Sequence, residues 1–376
     1  MKKILILYAT YGGGHLSAAK SIKKYLDQNY PDVISEMVDC VEYINKSLNK
    51  VTTGAYKEIA KNAPWAWKQI YHYSEKGTLS GISMTTNKFM ALKILKLFNE
   101  FKPDLVVSTH PFATQMTSYL KKKRKVDCKL ATLMTDFMPH EQWLVRSEFS
   151  DFFFVSNFNM KSILVRKKLD KDRIFVTGIP VSPRFQQPFN SEAIFKEFNL
   201  NPNKKTILFF GGGGLGLGKD STVKYLKSFL DLNQPIQIVA ISGKNNKMKK
   251  SFDELIENYG SEKLKVLEFT DKVPELMSIS TFVVTKPGGL TTSESLASEL
   301  PIIIINPIPG QEEQNAEFLE SSGVAVWIKK NEDPSKKIFD LFNSPIKLTE
   351  MKENAKVMGR KNSTQRICNI IVNSLN

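Results

Sequence analysis

The chain has 376 residues, 41% of them apolar, and its 53 Lys and Arg against 38 Asp and Glu give a formal net charge of +15. That length accommodates two domains of about 180 residues each, and no apolar run approaches the ~20 residues that span a bilayer. Cys40, Cys128 and Cys368 are scattered, with neither metal-ligand nor disulfide-framework spacing, as expected of a reducing, cytosolic compartment.

The charge is uneven. Residues 1–185 hold 29 Lys and Arg against 16 Asp and Glu, whereas residues 186–376 hold 24 against 22. A basic front half implies an anionic surface as partner, either nucleic acid or an acidic membrane leaflet.

The opening Met1-Lys-Lys-Ile-Leu-Ile-Leu-Tyr-Ala9 mimics a signal peptide, but its apolar core is short and Gly12-Gly13-Gly14-His15 follows at once. A buried first strand is the better reading. Strands are expected at 3–8, 34–39, 105–109, 129–135, 151–155 and 174–177, with helical patterns between them. The back half repeats the arrangement at 206–210, 236–241, 264–269, 282–285, 301–305 and 325–328. Short apolar strands alternating with helices predict an α/β fold of two doubly wound parallel sheets. The segment Gly178-Ile-Pro-Val-Ser-Pro-Arg-Phe-Gln-Gln-Pro188 reads as the linker. Residues 45–101 are less regular, and Trp65 and Trp67 beside lysines fit either a membrane interface or an ordinary helical insertion.

Three glycine clusters follow strands: Gly12–Gly14, the run from Gly211 to Gly218, and Gly288-Gly289. Ligands of doubly wound sheets bind at such carboxyl ends. In the second cluster Gly213 to Lys219 imitates a phosphate-binding P-loop, but Asp220 stands where a Mg²⁺-binding hydroxyl is required. In the third, Pro287-Gly-Gly ends a strand and a helix is expected to open at Thr291 or Thr292. Its free N–H groups and dipole make an anion site. Glu294 follows at a distance suited to ribose hydroxyls, while Gln311, Glu312 and Asn315 offer sugar-binding groups from the next loop. Phosphate, ribose and hexose in that order suggest a nucleotide-sugar pocket.

His15, beside three glycines at the N-terminus of a helix expected to start near Ser17, is the candidate base. Asp136, in Thr135-Asp-Phe-Met-Pro-His140 with Trp143 just after, could orient His15 or act as the base itself; a turn-capping role is the plain alternative. Thr109-His110-Pro111 ends another strand and lines the same side. Asp170-Lys-Asp172 imitates a metal-binding D-x-D but sits among charged turn residues, so solvated turn chemistry is preferred. Lys121-Lys-Lys-Arg-Lys125 is a solvated helix end that can add membrane attraction, and it lacks the interleaved aromatics of a single-strand nucleic-acid groove.

Together, Ala9-Thr-Tyr-Gly-Gly-Gly-His-Leu-Ser-Ala18, Thr135-Asp-Phe-Met-Pro-His-Glu-Gln-Trp143, Gly211 to Gly218, Thr285-Lys-Pro-Gly-Gly-Leu-Thr-Thr-Ser-Glu294 and Pro307-Ile-Pro-Gly-Gln-Glu-Glu-Gln-Asn315 resemble the monogalactosyldiacylglycerol synthase group, including the processive diacylglycerol β-glucosyltransferases. The resemblance runs from residue 3 to about 320. It implies a GT-B fold: an acceptor- and membrane-binding domain at 1–184, a UDP-sugar domain at 185–355, and a C-terminal helix at 356–376 packing on the first domain. It further implies an inverting, metal-independent hexosyltransferase without cofactor, moving glucose from UDP-glucose to diacylglycerol, on the inner face of the cell membrane.

By the same resemblance His15 and Asp136 would serve the acceptor hydroxyl. Gly14, Gly213, Gly214, Gly288, Gly289, Leu290 and Thr291 would hold the donor, Phe269 to Val273 would frame uracil, and Glu294 would take the ribose. Gln311, Glu312 and Asn315 would read the hexose, and Trp65, Trp67, His110, His140 and Trp143 would meet acceptor or membrane. The alternatives are a UDP-GlcNAc-dependent transferase on a lipid-linked cell-wall precursor and, in a different class, a basic nucleic-acid-binding protein.

Overall fold

The structure is a computed structural model that describes residues 1–10, 13–44, 80–212 and 218–376, with side chains from residue 89 onward in the third of these segments. Trp65, Trp67, Gly213 and Gly214 lie outside the described residues. The chain divides into two compact units. The first comprises Met1–Pro183 with Arg360–Asn376, and the second Arg184–Gly359.

The first unit holds a six-stranded sheet of β1 (Lys2–Tyr8), β2 (Val33–Asp39), β3 (Leu105–Ser108), β4 (Lys129–Leu133), β5 (Phe152–Val155) and β6 (Ile174–Val176). Their order is β2-β1-β3-β4-β5-β6, and every pairing is parallel. Side chains of β1 alternate between two cores, as a strand covered on both faces requires. Leu5 and Leu7 pack with Ile94, Phe98 and Met116, while Ile4 and Ile6 pack with Ala18, Ile22, Ile367 and Ile371. The last two belong to the Ser363–Asn373 helix, which is tied down by Tyr30 Oη donating to Asn369 Oδ1 at 2.6 Å and Thr364 Oγ1 donating to the Val181 carbonyl at 2.6 Å.

The second unit repeats the plan with β7 (Lys205–Phe210), β8 (Ile236–Ile241), β9 (Leu264–Leu267), β10 (Phe282–Thr285), β11 (Ile302–Ile304) and β12 (Ala325–Trp327). The order is β12-β11-β10-β7-β8-β9, again parallel. One aromatic-rich core joins Phe209, Phe229, Phe252 and Phe282, with Phe209 set edge-on to Phe229 and Phe252.

In each sheet the winding reverses once, between β1 and β3 in the first and between β7 and β10 in the second. Helices leaving two such neighbours go to opposite faces, so a crevice opens at their carboxyl ends. The candidate residues gather at these two places.

Several expectations shift at element boundaries. The strand expected to 135 ends at Leu133, and that expected to 269 ends at Leu267, leaving Phe269 in a loop and 71% exposed. The helix expected from Thr291 already begins at Gly289, with Gly288 as its N-cap. The helix expected near Ser17 starts at Gly13. Glycine has no capping side chain and poor helix propensity, which is why sequence reading set both starts late.

Candidate active site

At the first crevice, the Gly13–Asn29 helix leaves β1 and carries His15 in its opening turn, while Thr109 and His110 follow β3. His15 Nδ1 lies 2.6 Å from the Thr109 carbonyl oxygen and 3.0 Å from Thr135 Oγ1. Thr109 Oγ1 in turn donates to the His15 carbonyl at 3.0 Å. A carbonyl can only accept, so Nδ1 carries the ring proton and Nε2 of neutral His15 holds a lone pair. Burial lowers the His15 pKa from 6.5 to about 4, against the opposing effect of the Thr109 hydrogen bond. Desolvation penalises the charged ring, so His15 stands unprotonated across the physiological range.

His110 packs edge-on to His15, with ring centroids 4.6 Å apart. It caps the Pro111–Lys122 helix, its Nδ1 accepting from Phe112 N at 3.2 Å. Its pKa is held well below the ordinary value by burial and then by the charge of His15. His140 makes the same kind of cap, accepting from Gln142 N at 3.1 Å. Nitrogens that accept from backbone are unprotonated, so in their neutral forms both rings carry their protons on Nε2, opposite in sense to His15. His15, His110 and His140 thus all belong to the first unit, one with an unprotonated Nε2 and two with donor Nε2–H groups.

Asp136 is buried immediately after Thr135, and Ser156 Oγ donates to its backbone carbonyl at 2.8 Å. The orienting contacts on His15 Nδ1 come from Thr109 and Thr135, residues whose role the sequence reading left unassigned. Trp143 was expected to meet acceptor or membrane. It is 1% exposed and packs with Met134, Phe153 and Met160, its ring centroid 6.5 Å from that of His15. Asp170 accepts from Asp172 N at 3.0 Å as the cap of a short turn, which is ordinary turn chemistry.

At the second crevice, β10 runs into Lys286-Pro287-Gly288 and the Gly289–Ala297 helix. The loop's carbonyls are fastened from behind. Gly288 N donates to the Lys286 carbonyl at 2.8 Å, and Asn315 Nδ2 donates to the Pro287 carbonyl at 3.1 Å. The first intrahelical bond of the helix is Thr292 N to the Gly288 carbonyl at 3.1 Å. The N–H groups of Gly289, Leu290 and Thr291 therefore find no acceptor within their own helix, and with the dipole they form a mouth for an anion.

Glu294 lies one turn along. Burial raises its pKa from 4.5 to about 8, so at neutral pH its carboxyl holds a proton. Phe269 stands in the loop after β9 with Lys244 Nζ 5.6 Å from its ring centroid, and Val273 opens the short Val273–Ser278 helix. Gly14, Gln311, Leu290 and Thr291 are half-buried at helix starts.

Two expected hexose readers also bind residues of the Lys286-Pro287-Gly288 loop. Asn315 is 0% exposed and spends its amide on Pro287. Glu312 pairs with Lys286 at 2.6 Å through Oε1 and accepts from Ile308 N at 2.9 Å through Oε2. Both partners come from the loop sequence, but neither pairing could be read from spacing alone.

Residues 15–181 match the monogalactosyldiacylglycerol (MGDG) synthase family, and residues 190–358 match glycosyl transferases group 1. A processive diacylglycerol beta-glucosyltransferase of Bacillus pumilus (strain SAFR-032) is 31% identical over 380 residues, spanning 99% of this chain and 94% of the relative. That of Bacillus cytotoxicus is 31% identical over 373 residues, spanning 98% and 93%. Among solved structures, S. aureus MnaA with UDP superposes at TM-score 0.66 and 16% identity, covering 100% of this chain and 97% of its own. Acinetobacter baumannii MurG superposes at 0.67 and 15%, covering 99% and 100%. The structural likenesses establish the GT-B fold, and full-length sequence similarity at this level places the chain more narrowly: it belongs to the processive diacylglycerol β-glucosyltransferase family.

Proposed function

We propose that this protein transfers glucose from UDP-glucose to the hydroxyl of diacylglycerol, in a single inverting displacement that needs no metal ion, and can extend the product by further glucose units. The acceptor oxygen attacks the anomeric carbon as the bond from that carbon to the β-phosphate oxygen breaks. The hydroxyl proton passes to His15 Nε2, and the bonding pair leaves with UDP.

The observation that carries this reading is the state of His15. Its Nδ1–H is committed to Thr109 at 2.6 Å, so the remaining nitrogen is a base whose orientation is already fixed. A positioned base contributes typically ~10²–10⁴-fold. The leaving diphosphate is supported by the first-turn N–H groups of the Gly289–Ala297 helix, which cost no reorganisation as charge develops. Glu294 takes the ribose hydroxyls, Gln311 the hexose, and Phe269 with Val273 the uracil. Asp136, His110 and His140 line the acceptor side.

The acceptor lies in a bilayer, so the enzyme works as a peripheral protein on an anionic leaflet. Among the described residues no helix is long and apolar enough to cross a membrane, and Lys122, Lys123, Arg124 and Lys125 form an exposed basic run. Incubation with radiolabelled UDP-glucose, UDP-galactose or UDP-GlcNAc and diacylglycerol vesicles, followed by lipid extraction, tests the whole reading. Label from UDP-glucose should appear in glucosyl- and diglucosyldiacylglycerol. Label entering lipid only from UDP-GlcNAc would replace this reading with a different donor.

A further inference from the structure

Glu312 sits where its charge matters. It is 13% exposed, and its partner Lys286 is 19% exposed. A side chain begun at Gly288, the N-cap of the Gly289–Ala297 helix, would place its first carbon 3.8 Å from Glu312 Oε1. A carboxylate thus stands at the edge of the anion mouth. It is held there by Lys286 Nζ on one oxygen, at 2.6 Å, and by Ile308 N on the other, at 2.9 Å. Glu312 also lies in the first turn of the Gln311–Ser321 helix, where a negative side chain meets the positive end of the dipole.

From this arrangement we infer that Lys286 and Glu312 form a charge-balancing pair that sets how tightly the site holds a nucleoside diphosphate, with Glu312 acting on donor and product through charge rather than by reading the hexose. The inference rests on the donor-site reading above. A helix mouth with an unopposed lysine would bind a diphosphate tightly and release the UDP product slowly. A mouth with an unopposed carboxylate would repel the donor. The pair holds the local charge near zero, leaving the helix amides to do most of the binding. Both are positioning residues, and their effect scales with the charge of the ligand.

The test is a titration of the full-length wild type, Lys286→Met, Glu312→Gln and the double variant with UDP, UDP-glucose and uridine at low ionic strength. Unit charges a few ångströms apart at partly buried positions change affinity by about tenfold or more. Lys286→Met should weaken UDP binding by about 10- to 100-fold, while uridine, which carries no charge, changes by less than about twofold. Glu312→Gln should tighten UDP and UDP-glucose alike by about 3- to 10-fold and lower the turnover limited by UDP release. The double variant should return to within about threefold of wild type.

Weaker UDP binding by Glu312→Gln, or a double variant as weak as Lys286→Met alone, would overturn the inference. So would a Glu312→Gln variant that binds UDP normally but loses UDP-glucose, since that result assigns Glu312 to the hexose. If Lys286→Met fails to fold, Glu312→Gln and the double variant decide the matter by the same criteria. A wild type that binds no UDP at all would defeat the donor-site reading and this inference together, an outcome distinct from the other two.

Discussion

His15 and Thr109 clasp each other through two hydrogen bonds, the ring Nδ1–H to the Thr109 carbonyl at 2.6 Å and Thr109 Oγ1 to the His15 carbonyl at 3.0 Å. The clasp joins the end of β3 to the opening turn of the helix that follows β1, across the point where the sheet's winding reverses. It fixes both the position and the tautomer of the ring. His15→Ala should therefore reduce kcat by about 10²- to 10⁴-fold, with the dissociation constant for UDP unchanged within about threefold. Steady-state kinetics beside UDP titration checks this. Normal turnover at saturation with lost UDP affinity would move His15 to the donor.

The depressed pKa of His15 has consequences in acid. A base must be unprotonated, and a folded-state pKa of about 4 keeps it so well below the ordinary 6.5. In the unfolded chain the same ring protonates near 6.5. Between these two values the unfolded state binds more protons, so stability falls as pH drops from 6.5 towards 4. His110 acts in the same direction. The melting temperature of wild type should decline over that window more steeply than that of His15→Asn. Parallel melting curves for the two proteins would contradict the assignment.

Glu294 offers a test through heat. With its pKa raised to about 8 by burial, the carboxyl is protonated at neutral pH. Ribose hydroxyls that donate to it favour the carboxylate, so UDP binding at pH 7 should release close to one proton. Calorimetric titrations in buffers of different ionisation enthalpy measure that number directly. Glu294→Gln should abolish the buffer dependence and weaken UDP binding by about 10- to 100-fold. A wild type with no buffer dependence would remove Glu294 from the ribose.

Lys122, Lys123, Arg124 and Lys125 are exposed at the end of the Pro111–Lys122 helix. Each basic residue near an anionic leaflet contributes about 1 kcal/mol. Replacing all four with Gln should lower flotation with anionic vesicles by at least about tenfold at low salt, and leave binding to neutral vesicles unchanged. Equal flotation of wild type with both vesicle types would reject an electrostatic docking surface.

The sheets were legible because their strands are covered on both faces. Ile236–Ile241, apolar but for Gln237, and Phe282–Thr285, apolar up to its final Thr, are short runs bounded by turn residues, and they appear at the expected positions. The candidate base was legible too, since a histidine among glycines at a strand end has few structural reasons to be there. Partner choice was not. Nothing in the spacing shows that Asn315 donates to Pro287, that Glu312 meets Lys286, or that Thr135 reaches His15 Nδ1. Those pairings depend on how separate loops come together at a sheet edge. Trp143 was ambiguous for a related reason, because an indole suits an interface and a core equally well until its neighbours are known.

The most direct measurement is the structure of the enzyme with UDP bound. Diphosphate oxygens should lie about 2.7–3.2 Å from the first-turn N–H groups of the Gly289–Ala297 helix, with the ribose hydroxyls on Glu294. UDP bound elsewhere, with those amides untouched, would contradict the account.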